Sequence, residues 1–185
     1  MKQALLIIDA QYALIEGGAG ERPVYQKENL LQQINLVISK AQAAGADILF
    51  VRDTDVAEGQ GAGFDIHPHI TVPEGKPIFN KQATNAFHGT GLLAHVQQAD
   101  ITHLVIMGCE TQHCIDTAVR YATVQGMDVT LVADGHSTAG SDVLNAEQII
   151  QHHNQILHGH YNVEHFSIVR QAAEDLFRPT HHTYR

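Results

Sequence analysis

His103-Leu-Val-Ile-Met-Gly-Cys-Glu-Thr-Gln-His-Cys-Ile-Asp-Thr-Ala118 is the stretch on which the reading of the fold turns. His103-Leu-Val-Ile-Met107 is strongly apolar, the pattern of a strand covered on both faces. Gly108–His113 is a short polar connection, and Cys114–Gln125 reads as a helix. Strand, tight connection and helix in that order make one half of a parallel α/β unit.

The unit recurs in both directions from this stretch. Ala4-Leu-Leu-Ile-Ile8, Asp47-Ile-Leu-Phe-Val51, Pro77-Ile-Phe-Asn80, Asp128-Val-Thr-Leu-Val132 and Ser167-Ile-Val169 are further short apolar runs. Between them, Glu28–Ala44 places Leu30, Leu31, Ile34, Val37, Ile38 and Ala41 at helical spacing, and Gly45 stands where a helix end favours glycine. Thr90–Gln98 and Asn145–His158 read as helices, and a terminal helix is expected after Val169. Residues 53–77 are rich in Gly, Asp, His and Pro and read as a long loop over one edge of the sheet, a feature that is usually functional in a compact domain. The pattern predicts one α/β domain over residues 1–185, a three-layer doubly wound fold with a parallel six-stranded sheet. The strand order taken for it is 3-2-1-4-5-6.

Composition narrows the function. The formal net charge is −9 with only 11 Lys and Arg in 185 residues, which argues against a nucleic-acid partner. Cys109 and Cys114 are the two cysteines, too few and too close for a secreted disulfide framework. The opening apolar run is too short for a signal peptide, and no run approaches the length that spans a bilayer. A cytoplasmic protein with no membrane partner is expected. Half of the 14 histidines lie beyond residue 150 and read as surface composition.

In a doubly wound sheet, ligands sit outside the carboxyl ends of the strands near the switch in strand order. Asp9 follows the first strand, Lys81 the third, and Gly108–Cys114 the fourth. With the first and fourth strands as neighbours, an acid, an amine and a thiol converge. Each has an ordinary alternative reading: Cys114 as a buried structural thiol, Asp9 as a cap or turn residue, Lys81 as a surface lysine with Lys76 as its competitor. A thiol at a helix N-terminus beside a lysine is expected to have a depressed pKa, giving a thiolate near neutral pH.

Three segments then carry a family resemblance: Ala4-Leu-Leu-Ile-Ile-Asp-Ala-Gln11, Asn80-Lys-Gln-Ala-Thr-Asn-Ala-Phe-His-Gly-Thr-Gly-Leu92 and Val105-Ile-Met-Gly-Cys-Glu-Thr-Gln-His-Cys-Ile-Asp-Thr-Ala118. Together with Val129-Thr-Leu-Val-Ala-Asp-Gly135, they resemble the isochorismatase-like cysteine hydrolases in order from about residue 3 to 170. The resemblance implies a triad of Asp9, Lys81 and Cys114, and a cis peptide before Glu110. It implies an oxyanion site from the backbone N–H groups of Glu110 and Cys114, and a homo-oligomer of at least two copies. It also implies a small-molecule substrate and covalent catalysis through a Cys114 thioester.

Within that family, nicotinamidases hold a metal through an Asp-x-His pattern after the second strand. Here Asp55 stands where the first His is expected, in Arg52-Asp-Thr-Asp-Val56. His67 and His69 are the residues that could join Asp53, but their spacing departs from the pattern, so no metal and no cofactor are expected. The siderophore isochorismatases cleave a vinyl ether, and some of their relatives lack the cysteine. Retaining Cys114 leans toward cleavage of an amide or ureido C–N bond, with vinyl-ether hydrolysis and nicotinamidase activity as alternatives. Gln11, Phe64, Phe87 and His113, with the loop 53–77, are expected to shape the pocket. The non-enzyme alternatives are a binding protein without activity and a thiol redox sensor. The second would leave Asp9 and Lys81 without a role, and the cysteine spacing is not Cys-x-x-Cys.

Overall fold

In the computed structural model, which describes residues 1–18, 22–178 and 181–183, strand β1 (Lys2–Ile8) runs through the middle of the sheet. Its alternate residues serve two cores. Ala4, Leu6 and Ile8 enter one apolar cluster, while Leu5 and Ile7 enter the other, so the strand has no polar face to give to water. Strands β2 (Asp47–Asp53) and β4 (Ile101–Cys109) flank it in parallel. Outward from these lie β3 (Ile78–Lys81) beside β2 and β5 (Asp128–Ser137) beside β4.

The sheet ends with a hairpin of β6 (Tyr161–Asn162) and β7 (His165–Arg170). Its order is β3-β2-β1-β4-β5-β7-β6, with β6 the one antiparallel member. The sixth strand expected from Ser167-Ile-Val169 is therefore β7, and the seventh is a two-residue addition that periodicity does not register.

Helices cover both faces. The first is a short α1 (Tyr12–Glu16), and α2 (Lys27–Ala44) lays Leu30, Ile34, Val37, Ile38 and Ala41 on one face. Within the long loop, a brief α3 (Gly61–Phe64) precedes β3. On the opposite face α4 (Leu92–Gln98) and α5 (Asp116–Val124) bury Leu92, Val96, Ala118, Val119 and Ala122. Helix α6 (Ala146–Leu157) starts at an Asn145 capping box with Gln148. None of the helices among the described residues is long and apolar enough to cross a membrane.

Among the described residues the expected terminal helix is not formed. Residues 171–178 make turns, followed by a short 3₁₀ turn at His181–Thr183. Lys40 Nζ donates to the Ala172 and Glu174 carbonyls at 2.6 and 2.8 Å, and Arg170 Nη1 donates to Asp175 O at 2.8 Å. These carbonyls are satisfied by side chains, so the segment needs no helical ladder, while Ala172, Leu176 and Phe177 still bury against α2.

One contact sets the spacing of the two central strands at their carboxyl ends. Gly108 pairs with Ile8 across β1 and β4 with φ +126°, and a Cβ there would lie 2.0 Å from Ile8 O. Only glycine lets the two backbones approach this closely just before both strands end.

Candidate active site

Beyond that crossing, β1 delivers Asp9 and β4 delivers Cys109 and Glu110, joined by a cis peptide bond, as the resemblance implied. Asp9 sits in the left-handed region at φ 51°, with its N–H donating to Val51 O at 2.9 Å. A non-glycine residue there is uncommon and recurs at functional positions. Cys114 lies in a π-helical turn, Thr111–Ile115, that leads directly into α5. Lys81 is the last residue of β3, in register with Asp53 at the end of β2.

The structure brings the three candidate residues together. Lys81 Nζ is 2.9 Å from Asp9 Oδ2 and 3.3 Å from Cys114 Sγ, and it also pairs with Asp53. Asp9 and Lys81 are both 1% exposed. In the sequence Asp53 stands out only as a possible metal ligand. Its position just past an apolar run, with only Arg52 between, is close to the signal that marks Asp9 and could have placed it here.

Gln11 explains how Asp53 is held. Its side chain accepts from Asp53 N at 2.7 Å and donates to Asp53 O at 3.0 Å and Phe64 O at 2.9 Å. A buried amide thus ties the exit of β1 to the end of β2.

Electrostatics differ from the sequence expectation. Burial pushes the Asp9 carboxyl up to about 6, against the opposing pull of Lys81 and Cys114. Burial also raises the Cys114 thiol to about 12, reinforced by the Asp9 charge and only partly offset by Lys81. The expected thiolate near neutral pH is therefore corrected. Cys114 does stand at a helix start beside a lysine, but desolvation and the adjacent carboxylate outweigh both. Burial would lower Lys81, yet Asp9, Cys114 and Asp53 hold it above its ordinary value.

A cavity of about 690 Å³ opens over this group, with Asp9, Asp53, Glu110, His113 and Cys114 on its wall. Residues from α1 and from the turn after β2, Ala13, Leu14, Val56 and Ala57, complete the wall. Of the four expected pocket residues, His113 lies on this wall. Gln11 is the buried clamp on Asp53, Phe64 packs under the Arg52 guanidinium at 4.1 Å, and Phe87 stacks on Tyr121 at 5.3 Å.

The histidines weighed for a metal point elsewhere. His67 Nε2 pairs with Glu16 Oε1 at 3.2 Å, and its Nδ1 accepts from His69 N at 3.2 Å. Among the described residues, the one metal-like grouping is Asp9, Asp53 and Cys114, with ligand atoms within 4.8 Å of one another. All three contact Lys81 Nζ, so the cation they serve is the ammonium.

Cys109 does not line the cavity, and burial, with the nearby Glu110, Asp9 and Cys114 charges, pushes its thiol well up. It is fully buried in the α2-side cluster, whereas Cys114 belongs to the α5-side cluster. The two thiols thus belong to different apolar clusters, and both are free.

Residues 3–155 match the family model described as the Isochorismatase domain. The chain belongs to the isochorismatase family. Isochorismatase-family members are hydrolases, and this chain is one of them. A crystal structure of an isochorismatase family protein superposes with a TM-score of 0.81 at 27% identity, covering 91% of this chain and 98% of the other. A streptothricin hydrolase of Streptomyces noursei is 26% identical over 140 residues, 74% of this chain and 50% of that protein. The N-carbamoylsarcosine amidase of Thermoplasma acidophilum shares the fold, with a TM-score of 0.72 at 18% identity over 94% of this chain and 98% of that one.

Proposed function

We propose that this hydrolase cleaves an amide or ureido C–N bond of a small molecule through a thioester on Cys114. The observation that carries the reading is the single ammonium of Lys81 contacting both Asp9 and Cys114 at the floor of a cavity. A thiol nucleophile beside a base and a fixed cation suits attack on a carbonyl, which leaves an acyl group on sulfur. Cleavage of a vinyl ether needs no such nucleophile.

The free thiol holds its proton, so transfer to Asp9 accompanies the approach of the substrate carbonyl. The sulfur–carbon bond forms as Asp9 takes the proton, and the carbonyl oxygen gains negative charge. Glu110 and Cys114 line the cavity, and their backbone N–H groups are the donors this reading assigns to that oxygen. The C–N bond then breaks, and the amine leaves with the proton from Asp9. Asp9 next draws a proton from water, which attacks the thioester and releases the acid and the thiol. Lys81 stays charged throughout and offsets the negative charge that passes between Asp9, sulfur and oxygen.

The test is a turnover screen of small amides, carbamoyl compounds, nicotinamide and isochorismate, with Cys114→Ala as control. Hydrolysis of an amide or carbamoyl compound that disappears in Cys114→Ala supports the reading. Unchanged turnover by that variant, or activity confined to isochorismate, overturns it.

A further inference from the structure

The wall of the cavity is unusually one-sided in charge. Asp9, Asp53, Asp55, Glu58 and Glu110 all line it, and no lysine or arginine among the described residues does. The Lys81 ammonium lies behind the floor and is already shared by Asp9, Asp53 and Cys114. Asp55, Glu58 and Glu110 have no ion-pair partner among the described residues. Asp55 and Glu58 are exposed on the turn after β2, while Glu110 is fixed on the opposite side, its Oε1 accepting from Thr138 Oγ1 at 3.3 Å and Ala139 N at 3.2 Å.

The carboxylates are not merely a solvated acidic face: Asp9 is 1% exposed, and Asp53 and Glu110 are half-buried on the same wall. Holding several carboxylates together in a partly shielded place is costly unless positive charge is brought to them.

We infer that the substrate of this site is a cation, a small amide or ureido compound carrying an amine or guanidinium group beyond the bond to be cleaved. The inference rests on the hydrolase reading and adds the substrate's charge to it. An anionic substrate would enter a cavity against several carboxylates, with no free basic group among the described lining residues to receive it. A cationic one neutralises part of that field. It also removes some of the negative charge that opposes forming a thiolate and an oxyanion at the floor, so the same group that binds also assists attack.

Matched thiol reagents test this without a known substrate. Methanethiosulfonates bearing a trimethylammonium-ethyl or a sulfonato-ethyl group are reacted with the protein, and each rate is divided by that reagent's rate with a free thiol. Cys114→Ala identifies the signal, since Cys109 is buried. The cationic reagent is expected to be favoured by about tenfold or more at low salt. The preference should narrow at high salt, and narrow again in the Asp55→Asn, Glu58→Gln double variant. A corrected ratio near one, or a preference for the anion, overturns the inference. So does a preference unchanged in the double variant. In parallel, ω-amino, ω-hydroxy and ω-carboxy derivatives of hexanamide are compared in turnover. An order of kcat/KM with the amino compound highest supports it, and a highest carboxylate overturns it. Loss of the charge preference with Cys114-dependent turnover intact would remove the inference alone. Turnover that survives Cys114→Ala would remove the hydrolase reading.

Discussion

Lys81 Nζ stands 2.9 Å from Asp9 Oδ2 with both side chains shielded from solvent. Asp53 shares the same ammonium, so one positive charge compensates two carboxylates in a poorly solvated place. Lys81→Met would leave both without a counter-charge. A loss of about 3–5 kcal/mol in unfolding free energy is expected from breaking such a buried pair. Turnover should fall by about 10²–10³-fold. Urea unfolding and steady-state kinetics measure the two effects. A Lys81→Met variant with wild-type turnover would remove the ammonium from the mechanism.

Asp9 must be ionised to accept the thiol proton, and its carboxyl is raised to about 6. Below that pH the base is blocked by its own proton, so kcat/KM is expected to rise through about pH 6 and then level off. The thiol, at about 12, gives no descending limb in the neutral range. A pH profile flat between about pH 5 and 7 contradicts Asp9 as the base. Asp9→Asn should lose about 10²–10⁴-fold in turnover.

The same variant acts oppositely on the free thiol. The Asp9 charge is one of the causes that raises Cys114, and Lys81 opposes it. Iodoacetamide labelling of the wild type should be slow near neutrality and climb with pH. In Asp9→Asn it should be faster above about pH 6, where the wild-type Asp9 is ionised, because the repelling carboxylate is gone while the lysine remains. Labelling slower than wild type would show that Asp9 activates the resting thiol instead.

Two buried histidines govern acid stability. His103 bridges Gln3 Nε2 and Thr130 Oγ1 at 3.0 and 2.9 Å, and burial lowers it from 6.5 to about 3. His136 bridges Thr111 Oγ1 and Asn154 Oδ1 at 2.9 and 3.0 Å, and burial lowers it to about 4. The unfolded chain binds these protons before the folded one does. Stability is therefore full above pH 6.5 and declines as pH falls toward about 4. Asp9 works the other way between its ordinary 3.8 and about 6, so one of the two protons is offset there. Each net proton changes unfolding free energy by roughly 1.4 kcal/mol per pH unit. Urea midpoints between about pH 7 and 4.5 should fall, and His103→Gln should make the fall shallower. Midpoints that stay level would show that the two histidines are not both held neutral.

Gly108 and Gly45 make a matched pair. An alanine at Gly108 would put its Cβ 2.0 Å from Ile8 O, whereas at Gly45 it meets nothing within 4 Å. Both positions have positive φ. Gly45→Ala should cost about 1–2 kcal/mol for the left-handed backbone alone. Gly108→Ala should exceed about 4 kcal/mol, because β1 and β4 would have to separate. Equal losses in denaturant unfolding would mean that the close crossing is not needed.

Much of the fold and site is legible in the sequence because buried parallel strands are uninterrupted apolar runs with a reactive residue at the end. Asp9 and Lys81 stand at such ends and Cys114 in the turn that follows one, and the topology rule brings them together without coordinates. What escapes depends on contacts distant in sequence. Gln11 reads as a pocket residue, yet its partners Asp53 and Phe64 lie 42 and 53 residues away. Among the described residues turns stand where a terminal helix is expected, and there Lys40, 132 residues from Ala172, takes the Ala172 carbonyl. The pKa of Cys114 goes the other way because burial is a property of the folded environment, whereas helix-end position is local and visible.

The placement of Cys109 and Cys114 in different apolar clusters bears on oxidation. An oxidant entering through the cavity meets Cys114, which lines it, while Cys109 is fully buried. Sulfenic acid is therefore expected to form at Cys114 first, and loss of activity on peroxide exposure should follow that one sulfur.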